Sequence, residues 1–524
     1  MAVKRSALPS GAHLYFFTSL CYISASKGDV LIRHHRAAQG NRDFSRHILL
    51  RALCLCLLCL LLPRWAAATP RKPVKLPPKP LNCEMCMHFT LYRHGDDSPA
   101  VLVVGGIQGD EPGGFSAATL LATHYTITRG AVWIVPNLNF PSIVRNSRGV
   151  HGDMNRKFLR LDKNDPEYST VSRIQELIRH PGVKLVLNLH DGSGFFRPQY
   201  EDALHNPGRW GQCVIIDQSA MPEHLPHNDL EAMARQSCED ANSRLLSPTH
   251  RYYIKNTKTG DGDREMEKTL SWYAVRNQKA AFGLEVSKEF PVEARVYYHL
   301  LVVESFLQQA GVEFTRDFEL TAPGVLAALQ RDVRVAFADN RIVLPLEDAR
   351  PRVNFLPLPK GELKTTTSKP ILAVLRENDG LSVLYGNRRL TRIQPDWRDT
   401  DNGISSVAVK ADGVEHVVPF GQILAVRDSF QVLPMAAYRV NAIGAKPLSA
   451  KSTPQAPDKS GLDIRHSDFR PRFSLDTRAT LYRVEVYRGQ HFAGMFLVRF
   501  DGRPTGPGRT ILPDTGGPQS DLGR

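Results

Sequence analysis

The chain of 524 residues lacks several features that would each point to one class of protein. It has no basic stripe with interleaved aromatic residues, which argues against a nucleic-acid partner. It has no uninterrupted apolar run of about 20 residues, so no stable membrane span is expected once its N-terminal segment is removed. A hydrophobic content of 42% excludes global disorder. What remains is an ordinary globular chain with the length for about two to four domains.

Cysteine is also scarce. Of the eight cysteines, four lie at or before residue 59, and the others are Cys83, Cys86, Cys213 and Cys238. An even number permits disulfides in an exported chain, but their spacing does not give the connectivity. Cys83 and Cys86 have no second pair at metal-site spacing, which favours a loop staple or free thiols over a metal site.

The excess of basic residues is concentrated near the N-terminus. The net charge is +14, but residues 1–68 hold nine Lys and Arg against two Asp and Glu, which leaves 58 against 51, or +7, for the rest. Residues 45–68 combine a basic flank, a short apolar run and a run of alanines, which is typical of a secretory signal peptide. The alternative is an uncleaved anchor. We therefore expect cleavage after Ala68 and a periplasmic protein, with residues 1–44 as a non-structural extension.

A proline-rich linker over residues 69–82 precedes a segment in which strand and helix patterns alternate. Several strands are continuous apolar runs, as expected when helices cover both faces of a sheet. Residues 83–317 are therefore predicted to form an α/β domain with a mostly parallel twisted sheet flanked by helices. The predicted strands are 100–105, 131–136, 183–189, 212–217 and 280–286, and the predicted helices are 115–124, 169–180, 228–247, 265–277 and 292–310.

The pattern changes after residue 317. Short apolar strand patterns separated by Gly, Asp and Asn turns predict a small β-barrel or sandwich over residues 318–429. An immunoglobulin-like β unit is predicted over residues 430–502, with a hairpin around Arg488-Gly-Gln490. Residues 503–524, rich in Gly and Pro, are predicted to form a flexible tail.

The most informative stretch is the strand that begins at Val101 and ends in a polar turn. Its apolar residues stop at two glycines, and Gln108, Asp110 and Glu111 follow before a helical pattern begins. Open α/β sheets carry their chemistry at strand ends of this kind. Gln108 and Glu111 are three residues apart, so both side chains can reach one ion from a tight turn. His190 and Glu285 likewise stand at the ends of two later apolar strands.

Taken in order, these motifs resemble zinc carboxypeptidases of the funnel-shaped α/β type. The resemblance covers roughly residues 95–310 and includes Gly152-Asp-Met-Asn-Arg-Lys-Phe158. The usual first ligand in that family is histidine, whereas Gln108 stands here. One branch has glutamine at this point, namely the peptidoglycan-trimming carboxypeptidases that set helical cell shape in some bacteria. The resemblance implies one zinc ion bound by Gln108, Glu111 and His190.

The same resemblance implies roles for residues beyond the metal ligands. Glu285 would be the general base and acid, with Glu289 a nearby competitor, and its apolar setting predicts a raised pKa. Asn155 and Arg156 would bind the free carboxylate of the substrate. A second arginine would stabilise the oxyanion, and either Arg145 or Arg148 fits this role. The remaining interpretations are Asp191 as a support for the ligands or a turn residue, and Lys157 and Arg160 as surface charges.

The resemblance, together with the signal-peptide pattern, implies an exported metal-dependent carboxypeptidase that trims peptidoglycan stem peptides from tripeptide to dipeptide. One alternative is a deacylase of the succinylglutamate desuccinylase and aspartoacylase kind, although the signal sequence and extra β domains count against it. Another is a wall-binding protein with a decayed site. The joint presence of Glu111, His190, Arg156 and Glu285 favours an enzyme.

Overall fold

The structure, a computed structural model, describes residues 87–96, 99–446 and 458–501. The predicted extension, signal peptide, linker and tail, together with Cys83 and Cys86, lie outside the described residues. Cys213 and Cys238 are buried free thiols. Among the described helices, none combines the length and the apolar composition that a membrane crossing requires.

The first part of the described chain alternates strands and helices. Its strands are β1 (Tyr92–Gly95), β2 (Ala100–Val104), β3 (Tyr125–Arg129), β4 (Ala131–Val135), β5 (Val183–Gly192), β6 (Phe195–Phe196), β7 (His205–Asn206), β8 (Cys213–Ile216), β9 (Tyr253–Asn256), β10 (Ala280–Ser287) and β11 (Glu313–Arg316). Its helices are α1 (Pro112–His124), α2 (Phe140–Val144), α3 (Tyr168–Arg179), α4 (Leu230–Asn242), α5 (Leu270–Arg276), α6 (Val292–Gln309) and α7 (Ala322–Gln330).

Seven of these strands form one twisted sheet in the order β1-β4-β2-β5-β10-β8-β9. The four central strands run parallel, whereas β1 and β8 are antiparallel to their inner neighbours. Every residue of β2 and β4 is buried, as expected for strands covered on both faces. The predicted mostly parallel, helix-flanked sheet is therefore confirmed.

Helix α6 packs on α1, α4 and α7, and α1 also packs on α7. Helices α3 and α5 pack on strand β5. Helix α3 illustrates this packing: Val171, Ile174 and Ile178 recur at helical spacing and are buried, and Leu177 packs partly buried against the same core. The core of this part extends through Leu329 on α7. Residues beyond the predicted domain end at 317 therefore contribute to the α/β core.

In residues 333–446 and 458–501 the described secondary structure consists of β-strands and two short 3₁₀ turns, His466–Asp468 and Pro471–Phe473. Its strands are β12 (Arg334–Phe337), β13 (Ile342–Pro345), β14 (Arg352–Pro359), β15 (Thr365–Thr367), β16 (Leu372–Glu377), β17 (Gly380–Tyr385), β18 (Arg388–Arg398), β19 (Ser406–Ala411), β20 (Val414–Pro419), β21 (Ile423–Ala425), β22 (Ser429–Val432), β23 (Arg439–Ala442), β24 (Ile464–Arg465), β25 (Leu481–Arg488) and β26 (His491–Arg499).

The C-terminal hairpin of β25 and β26 is shared between two apolar cores. Leu481 and Leu497 pack into a core formed mainly by residues 333–397. Tyr482 and Val498, one position away on each strand, pack into a second core that begins at Val407. Alternate residues of a strand point to opposite faces, so one hairpin serves both cores. The predicted boundary between 429 and 430 falls within the second core.

Candidate active site

Gln108, Glu111 and His190 come together at the carboxyl edge of the sheet. Gln108 and Glu111 lie in the turn between β2 and α1, and His190 lies near the end of β5, which pairs with β2 in parallel. His190 Nδ1 is 3.2 Å from Gln108 Oε1 and 2.9 Å from Glu111 Oε2. All three side chains are buried. The structure thus brings the three predicted ligands around one point.

The turn that carries two of these residues requires glycine at a close approach. A Cβ added to Gly109 would lie 2.0 Å from the backbone carbon of Ser142. Because such a contact is impossible, only glycine allows the turn to pack this closely on α2. Pro112 then starts α1, a position where the missing N–H of proline carries no penalty. Gln108 and Glu111 are therefore held on a rigid turn.

The orientation of the Gln108 amide is fixed by Asp153, which the sequence analysis did not single out. Gln108 Nε2 donates to Asp153 Oδ1 at 2.8 Å, which leaves its Oε1 directed at His190. Asp153 also accepts from Arg148 Nε at 2.9 Å and from the backbone of Asn155. Burial raises the pKa of Asp153, but these hydrogen bonds and the Arg148 charge outweigh it and hold the pKa low. Its place within the Gly152–Phe158 motif was the signal that could have found it.

Asp191 holds the ligand-bearing strand against two helices. It accepts from the backbone N–H of Gly113 at 2.8 Å and from Arg295 Nη1 at 3.1 Å, and its Oδ1 is 3.1 Å from His299 Nε2. A Cβ at Gly113 would lie 2.3 Å from that carboxylate. Of the two interpretations left open by the sequence, the structure places Asp191 as a support that joins β5 to α1 and α6.

Glu285 lies next to His190 because their strands pair in parallel register. It is buried, and this burial raises its pKa to about 8; the positive charge of His190 opposes the rise, whereas Glu111 adds to it. Glu289, the competitor in the sequence, is exposed beyond the strand end. The carboxylate that faces the ligand group is therefore that of Glu285. A pKa in this range suits a group that both accepts and donates a proton near neutral pH.

Asn155 and Arg156 form a short 3₁₀ turn beside the ligand group. Asn155 Nδ2 is 3.4 Å from His190 Nε2, and Asn155 Oδ1 accepts the backbone N–H of Leu270 at 2.9 Å. Arg156 Nε lies 3.7 Å from Glu265 Oε2, and its side chain is 32% exposed. This pair therefore presents an amide and an accessible guanidinium, the groups that pair with a free carboxylate.

The two candidate oxyanion arginines differ in their surroundings. Arg148 Nη1 is 3.6 Å from Glu111 Oε1, and its Nε bonds Asp153. The side chain of Arg145 has no hydrogen bond or ion pair among the described residues, and its Nε is enclosed without a partner. Of the two arginines, Arg148 is therefore the one that contacts the predicted metal ligands, through Glu111. Lys157, interpreted as a surface charge, is instead largely buried between Asp165 and Glu167.

Gln108, Glu111 and His190 supply the number of donors and the negative charge that a divalent metal ion needs. Burial lowers the pKa of His190, but its hydrogen bond to Glu111 and the charge of that carboxylate outweigh this and raise the pKa. The raised pKa shows that the surroundings of the His190 imidazole are net negative, and such surroundings also stabilise a bound divalent cation. Among the described residues, no three His, Cys, Asp or Glu side chains group as a metal site. This centre reaches three donors only because Gln108 contributes its amide oxygen.

Comparison with known proteins identifies the family. A family model of the catalytic part of carboxypeptidases controlling helical cell shape matches residues 84–330, and a model of a C-terminal domain of metallo-carboxypeptidases matches residues 400–501. The comparison with curated protein sequences gives no match.

Solved structures of cell shape determinant protein Csd4 from Helicobacter pylori are similar along nearly the whole described chain. The apo form is 39% identical with a TM-score of 0.72, covering 79% of this chain and 100% of that one. The tripeptide-bound form is 39% identical with a TM-score of 0.71 and the same coverage. The mDAP-bound form, described as a D,L-carboxypeptidase, is 40% identical with a TM-score of 0.71, covering 77% of this chain and 96% of that one.

The two family models match in chain order, and the similarity to Csd4 spans that protein from end to end. Together with the site at the sheet edge, these matches show that the chain belongs to the family of metallo-carboxypeptidases that control helical cell shape.

Proposed function

We propose that the protein is a zinc-dependent D,L-carboxypeptidase that trims peptidoglycan tripeptide stems to dipeptides in the periplasm. The observation that carries this proposal is the convergence of Gln108, Glu111 and His190 beside Glu285 and the carboxylate-binding pair. The tripeptide-bound and mDAP-bound structures of the relative Csd4 support the choice of substrate. The signal-peptide pattern of residues 45–68 supports the location.

Zinc is the metal that this donor set supports best. Catalytic zinc takes three protein ligands and leaves one position open, and Gln108, Glu111 and His190 would supply two oxygens and one nitrogen. A zinc ion held there would polarise the scissile carbonyl and make a water molecule more acidic. An amide oxygen is a weaker donor than imidazole and selects less strongly against harder ions. We therefore expect weaker zinc binding, and faster loss of zinc to chelators, than in a site with two histidines.

The protein's own groups would then carry out the proton transfers and hold the substrate. Glu285 would take a proton from the attacking water and deliver it to the leaving amine, as its pKa near 8 allows. Arg148 would stabilise the negative charge that develops on the carbonyl oxygen. Asn155 and Arg156 would hold the terminal carboxylate, which restricts the enzyme to chain ends.

A muropeptide digest with metal analysis of the purified protein tests this proposal. We expect about one zinc per chain, conversion of tripeptide stems to dipeptides with release of one residue, and resistance of amidated termini. Release of succinate or acetate from N-acyl amino acids, with muropeptides left intact, would replace this function by that of a deacylase. Cleavage between cross-linked stems would contradict the requirement for a chain end.

Substitution of Arg156 tests the carboxylate-binding role. Arg156→Ala should raise KM and also lower kcat, because a mis-seated terminus misplaces the scissile carbonyl. The matched control is Arg160→Ala, an exposed arginine on the same segment, which should leave both constants unchanged. Steady-state kinetics on a soluble tripeptide gives both constants. A variant with normal KM would remove Arg156 from this role.

A further inference from the structure

Helix α2 holds the turn that carries two of the predicted metal ligands. Its backbone approaches this turn so closely that a Cβ on Gly109 would lie 2.0 Å from the carbonyl carbon of Ser142. The backbone N–H of Gly109 also donates to the carbonyl of Ser147, in the loop after α2, at 3.0 Å. A displacement of α2 would therefore displace the ligand-bearing turn.

Arg148 lies in a loop that is bonded back to α2 on both sides. The backbone N–H of Ser147 donates to the Ser142 carbonyl at 3.1 Å, and that of Val150 donates to the Ser142 hydroxyl at 3.0 Å. The Arg148 side chain extends from this loop to Glu111, where its Nη1 lies 3.6 Å from Oε1. The position of α2 therefore determines where the guanidinium of Arg148 stands in the candidate active site.

Helix α2 also packs against the hairpin of β16 and β17. One buried apolar cluster contains Phe140, Ile143 and Val144 of α2, Phe115 of α1, and Ile371, Ala373 and Leu384 on or next to the hairpin. Leu381 and Val383 of the same strand β17 pack instead into the first β core, the one formed mainly by residues 333–397. Each face of β17 is therefore buried against a different part of the protein.

A hydrogen bond near each end of α2 joins it to the segment around the hairpin. Before the helix, Asn137 Nδ2 donates to the carbonyl of Pro370 at 2.8 Å, and this contact is buried. After the helix, Asn387 Nδ2 donates to Asn146 Oδ1 at 2.8 Å. Asn146 precedes Arg148 by two residues and has a positive φ of 48°. The β part thus holds α2 along its apolar side and at both ends.

We propose that the β16–β17 hairpin positions Arg148 for catalysis, with Leu384 and Asn387 as positioning residues that act through α2 and the loop after it. The inference rests on the proposed function, because it concerns the same reaction at the same site. Arg148 would meet negative charge on the carbonyl oxygen only as the transition state forms. Its displacement should therefore lower kcat and leave KM almost unchanged.

Two leucines of β17 give a matched test, because Leu384 faces α2 and Leu381 faces the first β core. Leu384→Ala should lower kcat on a soluble tripeptide by roughly 10-fold, with KM within about twofold of the wild type. Leu381→Ala removes the same atoms from the same strand, and its kcat should stay within about twofold of the wild type. Thermal unfolding of both variants shows whether each is folded at the assay temperature.

The hydrogen bond between Asn387 and Asn146 gives a second test that leaves the apolar cluster intact. Asn387→Ala should lower kcat by roughly threefold. Asn146→Gly removes the partner side chain and suits the positive φ at that position. Adding Asn387→Ala to Asn146→Gly should cause no further loss, because both changes remove one interaction. Asn387→Asp should restore most of the rate, since the Asn146 amide can rotate and donate to the carboxylate.

Hydrogen exchange of the purified protein follows the same coupling without a substrate. The backbone amides of Gly109, Ser147 and Val150 should exchange faster in Leu384→Ala than in Leu381→Ala. Equal kcat in the two leucine variants, whether both normal or both reduced, would overturn the proposal. A wild-type protein that keeps its metal but cleaves no tripeptide would instead overturn the proposed function, and the role of Arg148 with it.

Discussion

Helix α1 has a buried polar cluster at each end, and the two clusters affect histidine in opposite ways. At the N-terminal end, Glu111 raises the pKa of His190 against the effect of burial. At the C-terminal end, burial and the charge of Lys369 lower the pKa of His124 to about 4, although Asp317 partly opposes this. Both histidines are buried, so the neighbouring charge decides the sign.

The opposite pKa shifts distinguish a cluster that can bind a metal cation from one in which a lysine of the protein already occupies the cation position. The ligand cluster offers two oxygens and a nitrogen around one point. The cluster at the C-terminal end of α1, formed by His124, Asp317 and Lys369, is here called the junction cluster. In it the Lys369 ammonium lies 2.7 Å from His124 Nε2 and joins the α/β part to the first β core. The helix dipole favours both arrangements, because it attracts anions to the N-terminus and cations to the C-terminus. The N-terminal end of α1 therefore carries the candidate metal site, and the C-terminal end holds the α/β part against the first β core.

The largest effect should come from removing a metal ligand. Glu111→Ala or His190→Ala takes away one of only three donors, so bound metal should fall far below one equivalent and activity should be lost. The fold should persist, because β2 and β5 keep their backbone pairing. Elemental analysis and circular dichroism measure the two effects separately. Full metal content in both variants would show that the metal binds at another site.

The next largest effect should come from Glu285, which lies beside the ligand group. Glu285→Gln is nearly isosteric but cannot transfer protons, so turnover should fall by roughly 10²–10⁴-fold while metal remains bound. The matched control is Glu289→Gln, which makes the same change four residues away on an exposed carboxylate. Kinetics and metal content of both variants decide the matter. Unchanged turnover for Glu285→Gln, with a loss for Glu289→Gln, would reverse the assignment.

The site could be predicted from the sequence because His190 and Glu285 lie near the ends of apolar strands, and Gln108 and Glu111 lie in the turn that follows another apolar strand. Parallel strands bring their carboxyl ends to one edge, so Gln108, His190 and Glu285 had to lie near one another once the sheet was recognised. The contribution of Asp153 was not predictable in the same way. It depends on how a loop folds back over the strand ends, and no periodic pattern encodes that.

The junction cluster gave no signal in the sequence. His124 and Lys369 are 245 residues apart and belong to parts of the fold that sequence patterns treat separately. Strands β14 and β18 lack a clear strand pattern in the sequence for a related reason. Residues 352–359 contain two prolines, and residues 388–398 are rich in arginine, so neither has the apolar run that predicts a strand. Their pairing with neighbours overrides these local preferences.

The smallest effect should appear at the junction, as a change in stability with pH. The pKa of His124 is about 4 in the folded protein and near 6.5 as an ordinary histidine. The unfolded chain therefore binds more protons between these values, and the free energy of unfolding falls as pH decreases through this window. In His124→Gln, the glutamine amide can still accept from Lys369 and donate to Asp317, but it does not titrate.

The wild-type protein should therefore lose stability relative to His124→Gln as pH falls from about 7.5 to about 4.5, by on the order of 2 kcal/mol. Urea unfolding at several pH values measures this difference. Both proteins should carry Glu111→Ala, so that acid release of the metal from the other end of α1 does not contribute. His151→Gln, at an exposed histidine, should run parallel to the wild type. Parallel curves for His124→Gln as well would show that the Lys369 contact does not set the protonation of this junction.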